Sequence, residues 1–292
     1  MSDPSASTGY AEFELYRYTP NLGAAVIFFV AFFATTVYHV YQMVKTKSWY
    51  FTPLVIGGIF EVIGYATRIV AHSNKKSIPV YSIQAILILL GPALFAASIY
   101  MILGRLVVAL DAESLSPVPK KWMTKIFVTG DVIAFLSQAA GGGIMASGTI
   151  SAMNTGEHIT IAGLCIQLAF FSVFIFTATI FHRRYQRTAG GTPMKISVKH
   201  MLNNKNWEAL LYVLYATSAL ILIRSAFRVI EFAGGNDGFL LSHEVFAYLF
   251  DATLMFFVMV ILNIFHPSDV MGDKAALRGS MGMSLASRSS GV

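Results

Sequence analysis

Apolar residues run through this chain in seven long stretches, near 22–44, 51–72, 80–110, 122–147, 158–182, 206–232 and 243–266, parted by polar segments. Each is long enough to cross a bilayer as a helix, which takes about 20 residues. The pattern predicts an all-α integral membrane protein built as a seven-transmembrane helix bundle. It divides the chain into a polar N-terminal segment at 1–21, a transmembrane domain at 22–267 and a flexible tail at 268–292. The segments at 148–157 and 183–205 read as loops, the second being the longest and rich in cations.

The spans are interrupted by polar residues at helical spacing. In the fourth, Asp131 and Gln138 are seven residues apart and share one helix face. Gly141, Gly142 and Gly143 follow, read either as a close helix contact or as the lining of a polar chamber. The second span carries Glu61, Tyr65, Arg68 and His72 in one stripe, and Gln84 sits near the start of the third. Arg224, Arg228 and Glu231 make a stripe in the sixth, and Glu244, Tyr248 and Asp251 one in the seventh. Pro92, inside the third, is expected to kink that helix or leave a carbonyl free.

These groups must face inward. Glu61, Asp131, Glu231, Glu244, Asp251, Arg68, Arg224 and Arg228, turned to lipid at about 3 kcal/mol each, would cost roughly 24 kcal/mol. That exceeds the total stability of ordinary domains, about 5–15 kcal/mol. Five acids against three bases leave up to two acids unmatched. An acid-rich chamber of this kind favours a cationic head group whose tails stay in lipid. A purely architectural ion-pair network is the competing reading.

Composition sharpens the class. Of 292 residues, 55% are hydrophobic and 12% charged, with a mean hydropathy of +0.63. Soluble domains carry about twice that charged fraction. The net charge of +6 follows from topology and gives no reason to expect nucleic acid. The loops after spans one, three and five and the tail hold Lys45, Lys47, Lys120, Lys121, Lys125, Arg183, Arg184, Arg187, Lys195, Lys199, Lys205, Lys274, Arg278 and Arg288; the opposite side holds Arg17, Lys75 and Lys76. The positive-inside bias places the N-terminus outside and the C-terminus in the cytosol. Trp49, Trp122 and Trp207 open the even-numbered spans beside lysines, as interfacial anchors do. The first span reads as an uncleaved start of insertion. With a single cysteine, Cys165, an intramolecular disulfide is excluded.

No nucleotide phosphate loop is present, so ATP hydrolysis by this chain is not expected. The seventh span has no lysine for a retinal Schiff base. His39, His72, His158, His182, His200, His243 and His266 contain no pair at i, i+4, which argues against, without excluding, a metal-dependent membrane lipid hydrolase. No cofactor or metal is expected.

The ordered set Tyr18-x-Pro20, Glu61-x-x-Gly64-Tyr65-x-x-Arg68, Gln84, Pro92-Ala93 to Tyr100, Asp131 with Gln138 and Gly141 to Gly143, Gly163-Leu164-x-x-Gln167, Arg224-x-x-Phe227-Arg228-x-x-Glu231, then Glu244, Tyr248, Asp251 and His266-Pro267 resembles the fungal Rta-like lipid-translocating exporter family. The match spans nearly the whole chain, with Ser268 standing where the family pattern has glycine. The resemblance implies a multi-pass protein of the plasma or another cellular membrane. It implies export or transbilayer movement of sphingoid long-chain bases and resistance to toxic amphiphiles. The partners expected are membrane lipids and a cationic amphiphile ligand, with a homodimer left open. The expected ligand-binding set is Glu61, Tyr65, Arg68, Gln84, Asp131, Gln138, Arg224, Arg228, Glu231, Glu244, Tyr248 and Asp251. A seven-helix lipid-sensing receptor without enzymatic activity is the other reading, although the common receptor motifs D-R-Y and N-P-x-x-Y are missing.

Overall fold

The computed structural model describes residues 21–73, 77–145, 149–189, 207–234 and 238–268. Apart from Asn21 and Ser268, the N-terminal segment and the C-terminal tail lie outside the described residues, as does the basic stretch 190–206.

Seven helices are long and apolar enough to cross a membrane. They are α1 (Leu22–Thr46), α2 (Thr52–Ser73), α3 (Ile78–Ala109), α4 (Lys120–Met145), α5 (Ile150–Ala189), α6 (Trp207–Ala233) and α7 (Glu244–Ile264). No strand occurs among the described residues. The chain is a multi-pass helical membrane protein.

The helices close into a ring in chain order, α7 returning to α1, while α3 also meets α6 across the interior. Helix α3 is the axis of the core, with Phe95, Ile99, Ile102, Leu103 and Leu106 fully buried. Outward faces stay apolar, as on α1, where Ile27, Val30 and Phe33 are more than half exposed. Lys45, Lys125 and Arg184 mark one end of the bundle, called here the basic end.

Local chemistry sets the boundaries. Asn21 caps α1, its Oδ1 accepting the Ala24 N–H at 3.1 Å. Lys47 closes the helix in a left-handed conformation, φ 52°. At the basic end, the His39 ring lies 3.1 Å from the Met259 carbonyl and near Phe51, which stacks on His266 at 4.7 Å.

Helix α5 departs from the sequence expectation. It runs 40 residues, about 60 Å, and takes in most of 148–157 and the beginning of 183–205, both read as loops. The Thr149 hydroxyl accepts the Ala152 N–H at 3.3 Å and starts the helix. Gly156 then packs on α4 so tightly that an added Cβ would lie 2.5 Å from the Gly141 carbonyl. Tertiary contact holds as helix what composition presents as a polar connection.

Helix α7 also departs from regularity. Tyr248–Ala252 is a π turn, with the Thr253 hydroxyl donating to the Tyr248 carbonyl at 2.8 Å. Helix α3, by contrast, runs through Pro92 unbroken.

Candidate functional site

The polar residues within the spans sort into three groups. The first lies at the end of the bundle opposite the basic end. Arg68 on α2 meets Glu244 on α7 at 2.9 Å, and its Nε donates to the Tyr248 hydroxyl at 3.0 Å. The Glu244 carboxylate also accepts the Asn21 N–H on both oxygens, at 3.0 and 2.9 Å. One carboxylate thereby ties the start of α1 to α2 and α7. Tyr65, buried beside this group, stacks on Phe32 at 5.3 Å and faces Tyr248 at 6.3 Å.

The second group lies deeper, between α2, α3, α6 and α7. Arg224, fully buried, donates from Nε to Asp251 at 2.5 Å. Its Nη2 reaches the Ile88 carbonyl of α3 at 3.3 Å. Arg228, one turn further on, pairs with Glu231 at 2.6 Å and lies 4.0 Å from the second Asp251 oxygen. Glu61 packs against α3 so closely that a Cβ at Gly91 would sit 2.5 Å from its Oε1. Glu61 is 1% exposed, and Asp251 and Arg224 are the charges that act on it. Gln84 is buried on α3.

The third group occupies the far side of α3. Asp131 accepts the Tyr100 hydroxyl at 3.1 Å within an aromatic cage of Phe127, Phe171 and Phe174. Two turns along α4, Gln138 donates from Nε2 to Gln167 on α5 at 3.3 Å. Both inward-facing residues of the α4 stripe are therefore buried, as their spacing requires.

The charges can now be balanced. Three guanidinium groups take three carboxylates: Arg68 with Glu244, Arg224 with Asp251 and Arg228 with Glu231. Among the described residues, Glu61 and Asp131 have no ion-pair partner, and Glu61 Oε1 and Asp131 Oδ1 accept no hydrogen bond. These are the two unmatched acids that the count of five against three leaves over.

A cavity of about 250 Å³ opens between α3, α4, α5 and α6, toward the end opposite the basic end. Gln138, Ala139, Gly142 and Gly143 supply the α4 wall, and Tyr81, Ser82, Ala85 and Ile86 the α3 wall. Thr160 of α5 closes the floor beside Arg228 and Phe232 of α6. Of the twelve residues expected to bind ligand, Gln138 and Arg228 border this space, and the other ten lie in the packed groups around it. Ala85, Ile86, Gly142 and Gly143 are exposed, so the cavity has a lateral mouth.

The glycines divide between their two readings. A Cβ at Gly141 would strike the Gly156 carbonyl and Thr160, which makes this residue the α4–α5 contact. At Gly142 and Gly143 an added Cβ meets nothing within 4 Å, and both border the cavity.

Several contributors escape a reading of charge and spacing. Tyr100, Gln167 and Thr160 are ordinary polar residues in apolar helices, and backbone groups at Asn21 and Ile88 leave no side-chain signal. Pro92 is the exception, since it has no N–H for the carbonyl four residues earlier, which is that of Ile88. Among the described residues, no three His, Cys, Asp or Glu side chains gather in a metal-binding set.

A family described as RTA1 like protein matches residues 54–274. Protein RTM1 of Saccharomyces cerevisiae is 38% identical, over 90% of this chain and 94% of its own. Protoporphyrin uptake protein 1 of the same yeast is 33% identical over 88% of this chain and 93% of its own. The yeast sphingoid long-chain base transporter RSB1 is 28% identical over 85% of this chain and 72% of its own. No solved structure matches the chain.

Proposed function

The chain belongs to the RTA1-like protein family, and we propose that it binds amphiphilic lipids with a cationic head group and moves them across the membrane, without enzymatic chemistry. The two carboxylates without a guanidinium partner, Glu61 and Asp131, carry this reading. They leave the bundle interior with more acidic than basic groups, and a positive head group is the ligand that relieves this imbalance. The cavity with its lateral mouth supplies a place where such a head can leave the lipid while its chain stays there. Relatives named as a sphingoid long-chain base transporter and a probable lipid transporter support lipid cargo. The positive-inside bias supports an N-terminus outside, which sets the cavity in the outer half of the bilayer, and the plasma membrane is the compartment proposed.

The test compares a sphingoid base with its N-acylated, uncharged counterpart. Glu61→Gln and Asp131→Asn variants, confirmed to be folded and abundant, are assayed for binding and translocation of both lipids. The amine-bearing lipid is expected to lose about tenfold in affinity for each charge removed, as one charge-assisted contact is worth, with the neutral lipid unchanged. Equal loss for both lipids would make the acids architectural.

A further inference from the structure

The cavity carries a second kind of selectivity, one of hydrogen bonding. Gln138 is 4% exposed and borders the cavity. Its amide nitrogen is committed to Gln167 Oε1 at 3.3 Å, while its amide oxygen has no hydrogen-bond partner. Thr160, equally buried and on the same floor, spends its one hydroxyl hydrogen on the Gly156 carbonyl at 2.9 Å. What remains at Thr160 is lone pairs. Two buried residues of one cavity thus present acceptors without donors of their own to satisfy them. The contact that brings Thr160 there is built, since any side chain at Gly141 would displace it.

A buried amide oxygen left unsatisfied costs free energy that a donor from a ligand recovers. We infer that Gln138, with Thr160, selects among amphiphiles for head groups that carry N–H or O–H donors, so that a primary ammonium is preferred to a quaternary one of equal charge. This rests on the proposed binding of cationic amphiphiles and narrows it. Charge draws both kinds of head equally, while only the primary ammonium can donate to Gln138 Oε1. The Arg228 guanidinium on the same floor is matched by Glu231 and approached by Asp251, so it does not cancel the preference for a cation.

The experiment measures equilibrium binding of radiolabelled octadecylammonium and octadecyltrimethylammonium to the purified full-length chain in a nonionic detergent. The wild-type chain is expected to hold the primary amine about tenfold more tightly, the effect of one hydrogen bond to a charged group. Gln138→Leu is expected to erase that preference while retaining the quaternary ion. Gly143→Leu, which fills the mouth, is expected to weaken both ions together. The wild-type comparison needs no variant to fold. Equal binding of the two ions by the wild-type chain would remove the inference and leave the charge-based reading standing, as would a preference that survives Gln138→Leu. Preference for octadecanoate would overturn it too, since the amide would then face the cavity with its NH₂ group. Failure of both cations to bind would overturn the underlying reading as well.

Discussion

Arg224 of α6 donates to the Ile88 carbonyl of α3 at 3.3 Å, and that carbonyl is the one Pro92 leaves without its helical partner. A break in the hydrogen bonding of one helix is mended by the side chain of another. The same guanidinium holds Asp251 at 2.5 Å, so a single arginine ties α3, α6 and α7 together inside the bundle.

This arrangement predicts an unusual rescue. Arg224→Ala should cost about 3–5 kcal/mol of stability, because it strands a buried carboxylate. Adding Pro92→Ala returns an N–H to the Ile88 carbonyl. It should therefore recover about 1 kcal/mol more in the Arg224→Ala background than in the wild-type chain. Denaturant unfolding of the four proteins measures the difference, and strict additivity would show that the two residues are uncoupled.

Neutralising the acids should separate them by their partners. Asp251→Asn leaves Arg224 buried without its ion pair and is expected to cost about 3–5 kcal/mol. Glu61→Gln has no ion pair or Oε1 hydrogen bond to lose and should stay within about 0.5 kcal/mol of the parent. Thermal unfolding in detergent compares the two, and similar losses would mean that Glu61 has a structural partner after all.

Adjacent glycines should behave in opposite ways. Gly141→Leu forces α4 away from α5 at the Gly156 carbonyl and should destabilise the fold by about 1–3 kcal/mol or more. Gly143→Leu enters open space and should leave stability nearly unchanged while reducing lipid binding. Paired measurements of unfolding and binding would expose any variant that loses both or neither.

Orientation has its own check. A protease site inserted in 190–206 should be cut only from the cytosolic side, given the cations there and in the preceding helix. Cleavage in intact cells from outside would reverse the bundle and move the cavity to the inner leaflet.

The seven spans were legible because apolar stretches of that length have few other uses, and inward burial of Asp131 and Gln138 followed from their seven-residue spacing. The excess of acids was legible as arithmetic, but not which acids it would leave over. That depended on the long-range pairing of Arg68 with Glu244, and on Arg224 choosing Asp251 over Glu61. The length of α5 was hidden for a similar reason. Its first two turns are polar and small, and what stabilises them is a glycine contact with α4 that no local pattern announces. The cavity lay beyond reach altogether, since open space beside Gly142 and Gly143 looks the same in a sequence as tight packing beside Gly141.

The π turn at Tyr248–Ala252 makes α7 sensitive to counting. It lets Glu244 and Tyr248 face Arg68 while Asp251, in the same helix, faces Arg224. Deleting one residue there would restore an ordinary helix and swing everything before the deletion by about 100° about the axis. No substitution could compensate, because every side chain would still be present but would point elsewhere. Chain length at this turn is therefore as much a part of the site as any of its charges, and a single-codon deletion that a loop would absorb should here uncouple two ion pairs at once.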